Sequence, residues 1–293
     1  MDREVVTELV AGPRDENVRD ALDEAEGWGS YAAELRGVLG AVIEASGADT
    51  LEVSELFVGQ PLPDELSALR NGLEISPREA VDLAVGMAAG RGPYCRLTST
   101  DQLRIESGWN GFVHLLMTPE MAGRMAGLHG DDVSLEWRTA APEPADGSRI
   151  VDRPADAEFW AAVRTATAEL TLLCERWAHG ACGYRWFRVT SENSAEVTEA
   201  VRPRSLLCVV SDPELRLDAD LLDDDFTAFK APLTPGELTY RSYPGGADSL
   251  AEITDEGFTF MLKDSAMENW RAVVPDSDGV VRARWEDFRE EDG

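Results

Sequence analysis

The segment from Gly111 to Met125 reads GFVHLLMTPEMAGRM. It begins with a short apolar run, Phe112–Met117, which a Thr-Pro pair separates from a helix-forming segment. An apolar run of this length, bounded by turn residues, is typical of a buried strand. Proline suits the first position of a helix. The segment therefore predicts a strand, a turn and a helix, and the remaining elements are placed by comparison with it.

A weaker copy of this segment occurs later in the chain, at Gly257–Arg271, with the sequence GFTFMLKDSAMENWR. An alignment without gaps gives identical residues at these positions: Gly111 and Gly257, Phe112 and Phe258, Leu116 and Leu262, Met121 and Met267. A strand ending in tryptophan follows each copy, at Trp137 and Trp285, and we expect both rings in the core. The pattern predicts a degenerate internal duplication, with chance similarity as the alternative.

The order of the other elements is also shared by the two halves. An amphipathic helix around Tyr31 precedes a strand at Leu51–Phe57, and a second one, predicted from Phe159 to Trp177, precedes a strand at Tyr184–Val189. Short strands joined by tight turns favour antiparallel sheets. The predicted fold class is α+β, with two tandem modules, mainly antiparallel sheets and a pseudo-two-fold arrangement.

Composition along the chain predicts the domain boundaries. We expect an acidic helical segment at residues 1–28, a first α+β module at 29–140, a linker at 141–154, a second module at 155–287 and an acidic tail at 288–293. The linker is rich in Pro, Ala, Gly and Asp, which interrupt regular structure. Within the second module, Leu250–Thr254 is predicted to be a strand that pairs with the second copy of the repeat.

The net charge is the main constraint on function. The chain has 56 acidic and 27 basic residues, for a net charge of -29. Nucleic acids and anionic membranes would repel it, whereas a basic protein would be attracted. The alternative is an evenly dispersed acidic surface that maintains solubility. Nearly all the basic charge is arginine, which suggests a high-GC bacterial genome; a salt-adapted host would also give acidic proteins poor in lysine.

Cysteine usage and hydropathy indicate a cytoplasmic protein. The four cysteines are scattered and form no CxxC pair, so we expect buried free thiols in a reducing compartment, with Cys174 on the second amphipathic helix. No apolar run reaches the roughly 18 residues that a membrane helix needs. The N-terminal residues do not resemble a secretory signal.

The sequence contains none of the common catalytic or nucleotide-binding motifs. Two residues are weak catalytic candidates. His114 lies in the strand FVHLLM, where a sheet position is the alternative, and Arg241 lies between two tyrosines, where an ion pair is the alternative to anion binding. We predict no cofactor and no metal site.

Two features are candidates for binding a partner. Trp109 lies between glycine and asparagine in a predicted hairpin turn, where its own strands cannot easily cover it. It is either an anchor for a partner or packed over the neighbouring module. Asp223, Asp224 and Asp225 form an acidic turn, which is either solvated or part of a contact surface. Exposed aromatic side chains often anchor protein interfaces.

These observations predict a non-catalytic, acidic protein that binds a basic protein partner. Its concrete form would be an immunity protein or another inhibitor of a basic toxin. The alternative is a cofactor-free enzyme, or an accessory protein of a bacterial biosynthetic pathway, with its site in a cleft between the modules.

Overall fold

The computed structural model describes residues 7–99, 103–108, 110–140, 153–255 and 258–282. The chain divides into two compact units, Met1–Ala145 and Asp146–Gly293, which are described separately below. Within the described residues there are seven α-helices and fifteen strands, and the strand pairings within the sheets are antiparallel. This confirms the α+β class. No helix in the described part of the chain is both long enough and apolar enough to cross a membrane.

The first unit contains a seven-stranded sheet with the strand order β3-β2-β4-β5-β6-β1-β7. Its strands are β1 (Thr7–Pro13), β2 (Leu51–Phe57), β3 (Glu74–Ile75), β4 (Tyr94–Thr98), β5 (Leu103–Ser107), β6 (Val113–Met117) and β7 (Val133–Thr139). Its helices are α1 (Glu16–Ala21), α2 (Ala25–Ser46), α3 (Pro77–Ala88) and α4 (Pro119–Arg124).

One face of this sheet supplies the core of the first unit. In β6, Val113, Leu115 and Met117 are buried, whereas the alternate residues His114 and Leu116 are only partly buried. Residues of α2 recur at helical spacing and are buried as well: Tyr31, Ala32, Leu35, Val38, Leu39, Val42 and Ile43. Helix α3 begins with a capping box, since Ser76 and Glu79 exchange hydrogen bonds, as its sequence indicates.

The prediction that residues 1–28 are a helical segment is wrong for residues 7–13. Strand β1 lies between β6 and β7. Its residue Val10 is opposite His114 of β6 on one side and Glu136 of β7 on the other. Its sequence, TELVAGP, carries little local strand signal. Pairing with two strands more than 100 residues away in the chain decides its conformation, because such tertiary contacts override local propensity. The segment is an internal strand of the sheet.

The second unit contains a five-stranded sheet with the order β12-β9-β8-β10-β15 and a three-stranded sheet with the order β13-β11-β14. The strands are β8 (Thr171–Arg176), β9 (Tyr184–Val189), β10 (Leu206–Ser211), β11 (Phe226–Lys230), β12 (Gly236–Leu238), β13 (Tyr240–Tyr243), β14 (Phe258–Lys263) and β15 (Arg271–Val273). Its helices are α5 (Ala157–Ala166), α6 (Ser194–Ala200) and α7 (Leu250–Asp255).

The five-stranded sheet is covered on both faces. On one face, Phe159 and Trp160 of α5 and Val197 of α6 pack against strand residues such as Leu173 and Leu207. On the other face, side chains of the five-stranded sheet form a cluster with Phe229 and Leu262 of the three-stranded sheet. The members from the five-stranded sheet include Leu172, Cys174, Trp186, Leu206 and Cys208. The second unit therefore has three layers: the helices α5 and α6, the five-stranded sheet and the three-stranded sheet.

Two element predictions in the second unit are wrong. The helix expected from Phe159 to Trp177 ends at Ala166, and Thr171–Arg176 is strand β8. Apolar residues at Leu170, Cys174 and Trp177 continue the helical spacing by coincidence. Strand β8 is buried on both faces, and such a strand shows no alternating pattern in its sequence. The strand expected at Leu250–Thr254 is part of helix α7.

The structure does not confirm the internal duplication. The first copy of the repeat forms β6, an inner strand of the seven-stranded sheet, between β1 and β5. The second copy forms β14, an edge strand of the three-stranded sheet, paired with β11. A pseudo-two-fold arrangement of the units stays a prediction.

The expectation that Trp137 lies in the core is also wrong, because its side chain is 38% exposed. Trp137 lies on β7, the edge strand of the seven-stranded sheet, opposite Leu9. An edge strand has a neighbour on one side only, so a large side chain on it keeps part of its surface in water. Trp285 lies outside the described residues.

Candidate functional site

The first candidate site is a groove in the first unit, with a volume of about 510 Å³. We call it the acidic groove. It is formed by the connection between α1 and α2, the end of α3, the start of β4 and the turn between β5 and β6. The described residues that line it are Leu22, Asp23, Glu24, Ala25, Trp28, Met87, Ala88, Ala89, Gly90, Arg91, Tyr94, Gly108, Asn110 and Gly111.

Close backbone packing holds the walls of the acidic groove together. Gly111 has a φ of +85°, and a Cβ atom there would approach Leu22 Cδ1 to 2.8 Å. Only glycine suits such a left-handed position with so near a neighbour. The Tyr31 hydroxyl donates a hydrogen bond of 2.8 Å to the Gly111 carbonyl, and the Gly111 amide donates to the Ala88 carbonyl. The turn after β5 is thereby fixed to α2 and α3.

The rim of the groove is negatively charged. Asp23 and Glu24 line the groove and are exposed, and within the described residues neither forms an ion pair. Asp20 and Glu26, their near neighbours in the chain, are exposed as well. Helix α3 ends at the groove, and the C-terminal end of a helix carries partial negative charge. Acidic residues at the start of α2 also suit that helix's own dipole, which explains part of the cluster. Arg91 is the one cation among the described lining residues.

Aromatic side chains form part of the groove wall. Trp28 is partly buried, with its ring centroid 5.8 Å from that of Tyr31, and Tyr94 lies across the groove at the start of β4. Trp109, the predicted partner anchor, lies outside the described residues. Its chain neighbours Gly108 and Asn110 both line the groove.

The second candidate site is a cavity of about 380 Å³ in the second unit, between its five-stranded and three-stranded sheets. We call it the two-sheet cavity. It is lined by Cys174, Arg176, Tyr184, Leu206, Cys208, Asp224, Asp225, Lys263, Asp264, Ser265 and Arg271. Charged side chains of both signs therefore surround a space that neither sheet fills.

The structure places two residues of the predicted acidic turn in this cavity. Asp224 forms an ion pair of 2.8 Å with Lys263, and Asp225 accepts a hydrogen bond from the Gly245 amide. Asp223 is exposed and does not line the cavity. The turn is thus part of a charged cavity wall, which the sequence did not indicate.

Asp264 is a partly buried carboxylate of the cavity wall. Burial raises its pKa above the ordinary value, and the negative charge of Asp225 raises it further, whereas the hydrogen bond from Thr227 and the charge of Arg176 act in the opposite direction. The Thr227 hydroxyl donates to Asp264 Oδ1 at 2.9 Å. Burial of the Asp264 carboxyl is thus the main reason that its ionised form is disfavoured.

His114 lies on the partly exposed face of the seven-stranded sheet. Its Nδ1 atom is 2.6 Å from Glu8 Oε1, and its side chain is 32% exposed. Glu106 lies opposite it on β5 and forms ion pairs with Arg96 and Arg104, at 2.7 and 2.9 Å. His114 is thus one member of a row of paired polar and charged side chains across the sheet.

Arg241 lies on β13, where its Nη2 atom is 3.7 Å from Glu252 Oε1 of α7 and its guanidinium stacks on the Tyr243 ring. His114 belongs to the first unit and Arg241 to the second. Neither the acidic groove nor the two-sheet cavity is lined by either residue. The cofactor-free enzyme stays a prediction, without a described cavity to support it.

The cysteines are free thiols, as the sequence predicts, and Cys95, Cys174 and Cys208 are buried. Cys174 lies directly opposite Cys208 on neighbouring strands. Burial raises the pKa of both Cys95 and Cys174, so their reactive thiolate forms are disfavoured. Within the described residues, no group of three or more His, Cys, Asp or Glu side chains is placed to bind a metal ion.

Comparison of the chain with family models, curated proteins and solved structures found no match. The two sites are therefore interpreted from their own chemistry. Sequence reasoning missed the acidic groove, although the run of acids from Asp15 to Glu26 was a usable signal. It also missed Arg176 and Arg271, which nothing in the local sequence distinguishes from other arginines.

Proposed function

We propose that this protein is a non-catalytic binding protein that captures a basic protein partner at the acidic groove. Its concrete form would be an inhibitor or immunity protein that blocks its partner. The observation that carries the proposal is the combination, in one groove, of exposed carboxylates without ion-pair partners and partly buried aromatic rings. Aromatic rings often anchor protein interfaces, and complementary charge across an interface selects the partner.

The groove suits an arginine or lysine side chain of the partner. Its aliphatic part would pack on Leu22 and Ala25, which are accessible to solvent, while its charged end would lie near Asp23 and Glu24. The Trp28 and Tyr94 rings offer faces for a cation–π contact, which arginine makes most often. The C-terminal end of α3 adds further attraction for a cation.

The overall charge supports the same partner class. The acidic excess is shared nearly equally between the two units, so the whole surface attracts a cationic protein over a long range. Long-range attraction mainly increases the association rate, whereas the groove would determine where the partner docks. Both contributions weaken as salt screens the charges.

The test uses the double variant Asp23→Asn/Glu24→Gln, which keeps side-chain shape and removes two charges. The control is Asp64→Asn/Glu65→Gln, another exposed Asp-Glu pair in the same unit, remote in sequence from the residues that line the groove. Tagged full-length proteins are used to capture partners from a lysate of the encoding organism. Capture is compared at about 0.05 M and about 0.5 M salt, because the screening length falls from above 10 Å to about 4 Å.

We expect one basic protein to be retained by the original chain and by the control at low salt, and to be lost with the groove variant. High salt should release it. The partner's own activity should fall when the original chain is added. Equal retention by all three proteins, retention that salt does not affect, or the absence of any retained basic protein would each contradict the proposal.

A further inference from the structure

The two-sheet cavity, which the proposed function does not use, carries positive charge on one wall. Arg176 of β8 and Arg271 of β15 lie on either side of β10, on the same face of the five-stranded sheet. Arg176 is opposite Leu206, and Arg271 is opposite Cys208. Two inter-strand spacings and an offset of two residues along β10 separate their backbones by about 12 Å, a distance that two arginine side chains can bridge from both ends. The Nε atoms of both are shielded from solvent.

The facing wall carries negative charge. Asp225 precedes β11 and Asp264 follows β14, so both lie at one end of the three-stranded sheet. The two carboxylates are close enough for the charge of Asp225 to disfavour ionisation of Asp264. A cation between them would relieve this repulsion. Lys263 is already engaged, because it forms an ion pair of 2.8 Å with Asp224.

The space between these walls has the size and lining of a small-molecule site. Its volume of about 380 Å³ lies within the range of roughly 300–1,000 Å³ that is common for such sites. Leu206 and the two thiols of Cys174 and Cys208 supply an apolar floor between the arginines. Tyr184 adds an aromatic ring. The guanidinium carbon of Arg176 lies over this ring, 5.2 Å from its centroid.

We infer that the two-sheet cavity binds a small zwitterion, an amino acid or a close derivative of one. Its carboxylate would lie against Arg176 and Arg271, since guanidinium groups bind carboxylates with two parallel hydrogen bonds. Its ammonium group would lie between Asp225 and Asp264. Its side chain would pack on the apolar floor around Leu206.

The first experiment measures binding of the twenty standard amino acids to the full-length protein, each at millimolar concentration, by thermal shift and then by calorimetry. The amino acid that binds most tightly is compared with two analogues, the amine that lacks its carboxylate and the acid that lacks its amino group. We expect each analogue to bind at least about tenfold more weakly, because each lacks one of the two charged groups that the side chains of the cavity would bind.

The second experiment compares variants. Asp264→Asn keeps the shape of the side chain and its acceptor for Thr227, and Arg271→Gln removes one guanidinium. Arg216→Gln is the control, since Arg216 is an exposed arginine of the same unit that does not line the cavity. We expect the first two variants to bind the amino acid at least about tenfold more weakly and the control to bind it normally. Thermal unfolding of each variant shows whether it is folded, and Asp264→Asn provides the test if Arg271→Gln is not.

Three results would overturn the inference. The first is that none of the twenty amino acids alters the melting temperature or gives heat of binding. The acid without an amino group could bind as tightly as the amino acid, which would make the cavity a simple anion site. Asp264→Asn could also bind as well as the original chain. None of these results bears on the acidic groove, which lies in the other unit.

Discussion

Glu175 shows how a buried charge is accommodated in the second unit. Its side chain is fully buried on the helix-covered face of β8. Arg185 contacts its Oε2 atom at 2.5 Å, while the Ser205 hydroxyl and the Arg202 amide donate to Oε1 at 2.9 and 2.6 Å. A buried carboxylate persists in a fold only when its oxygens are paired in this way.

We predict that Glu175→Ala lowers the free energy of unfolding by about 3 kcal/mol, because it leaves Arg185 and two other donors without their acceptor. Glu237→Ala is the matched control. Glu237 is 62% exposed and lies 4.0 Å from the same arginine, so its loss should cost less than about 1 kcal/mol. Urea unfolding measures both values. Similar losses for the two variants would show that the buried network contributes little.

Asp264 gives a prediction for pH dependence. Because its pKa is raised in the folded state, the folded protein holds this proton at pH values where the unfolded chain has released it. Stability is therefore lost as the pH rises from about 4, the pKa of an aspartate in the unfolded chain, to the higher pKa of Asp264 in the folded protein. Asp264→Asn cannot ionise and should avoid this loss.

The free energy of unfolding of Asp264→Asn, relative to the original chain, should accordingly increase between about pH 3 and about pH 7. Asp248→Asn makes the same change of charge at an exposed position and serves as the control. If the difference in free energy of unfolding between Asp264→Asn and the original chain stays constant with pH, the pKa of Asp264 is not raised in the folded state.

At the scale of elements, β1 connects distant parts of the first unit. It is the only link between β6 and β7 in the described sheet, and five of its seven residues are buried. α1 follows it, and its exposed acids contribute to the charge near the groove. The N-terminal segment is therefore essential to the sheet and also carries part of the candidate site.

We predict that Val10→Pro prevents folding of the first unit. Val10 is 4% exposed and pairs on both sides, so proline would remove a ladder hydrogen bond in an inner strand. Glu16→Pro is the control, because Glu16 is the first residue of α1 and Asp15 before it is extended, as proline requires. Circular dichroism and limited proteolysis compare the two. A folded Val10→Pro variant would show that β1 is dispensable.

At the scale of the whole molecule, each unit has its own core and its own candidate site. The first is a helix-covered sheet with the acidic groove, and the second is a three-layer unit with the two-sheet cavity. No strand is exchanged between the units in the described sheets. The two binding proposals can therefore be tested independently of each other.

We predict that fragments 1–145 and 146–293 each fold alone, since a domain with its own core is generally stable in isolation. Each should unfold cooperatively in urea. The slope of its free energy of unfolding against urea concentration should be roughly half that expected for the whole chain, because this slope scales with the surface exposed on unfolding. Gradual unfolding of either fragment would show that its stability depends on the other.

The sequence by itself determined the features that depend on local chemistry. The period of the apolar residues in α2, the capping box of α3, the apolar run of β6 and the acidic charge are all properties of neighbouring residues. Local interactions decide these features, so they can be predicted without the tertiary structure. The α+β class follows from their order along the chain.

The tertiary structure decided which segments pair and what they enclose. β1 and β8 are strands because they lie between other strands, and this pairing overrides the local pattern that suggested helices. Arg271 reaches the same cavity as Arg176 only because β15 pairs with β10, and Asp264 faces them only because the second sheet packs there. Contacts between residues far apart in the chain create both candidate sites, and such contacts leave no local pattern in the sequence.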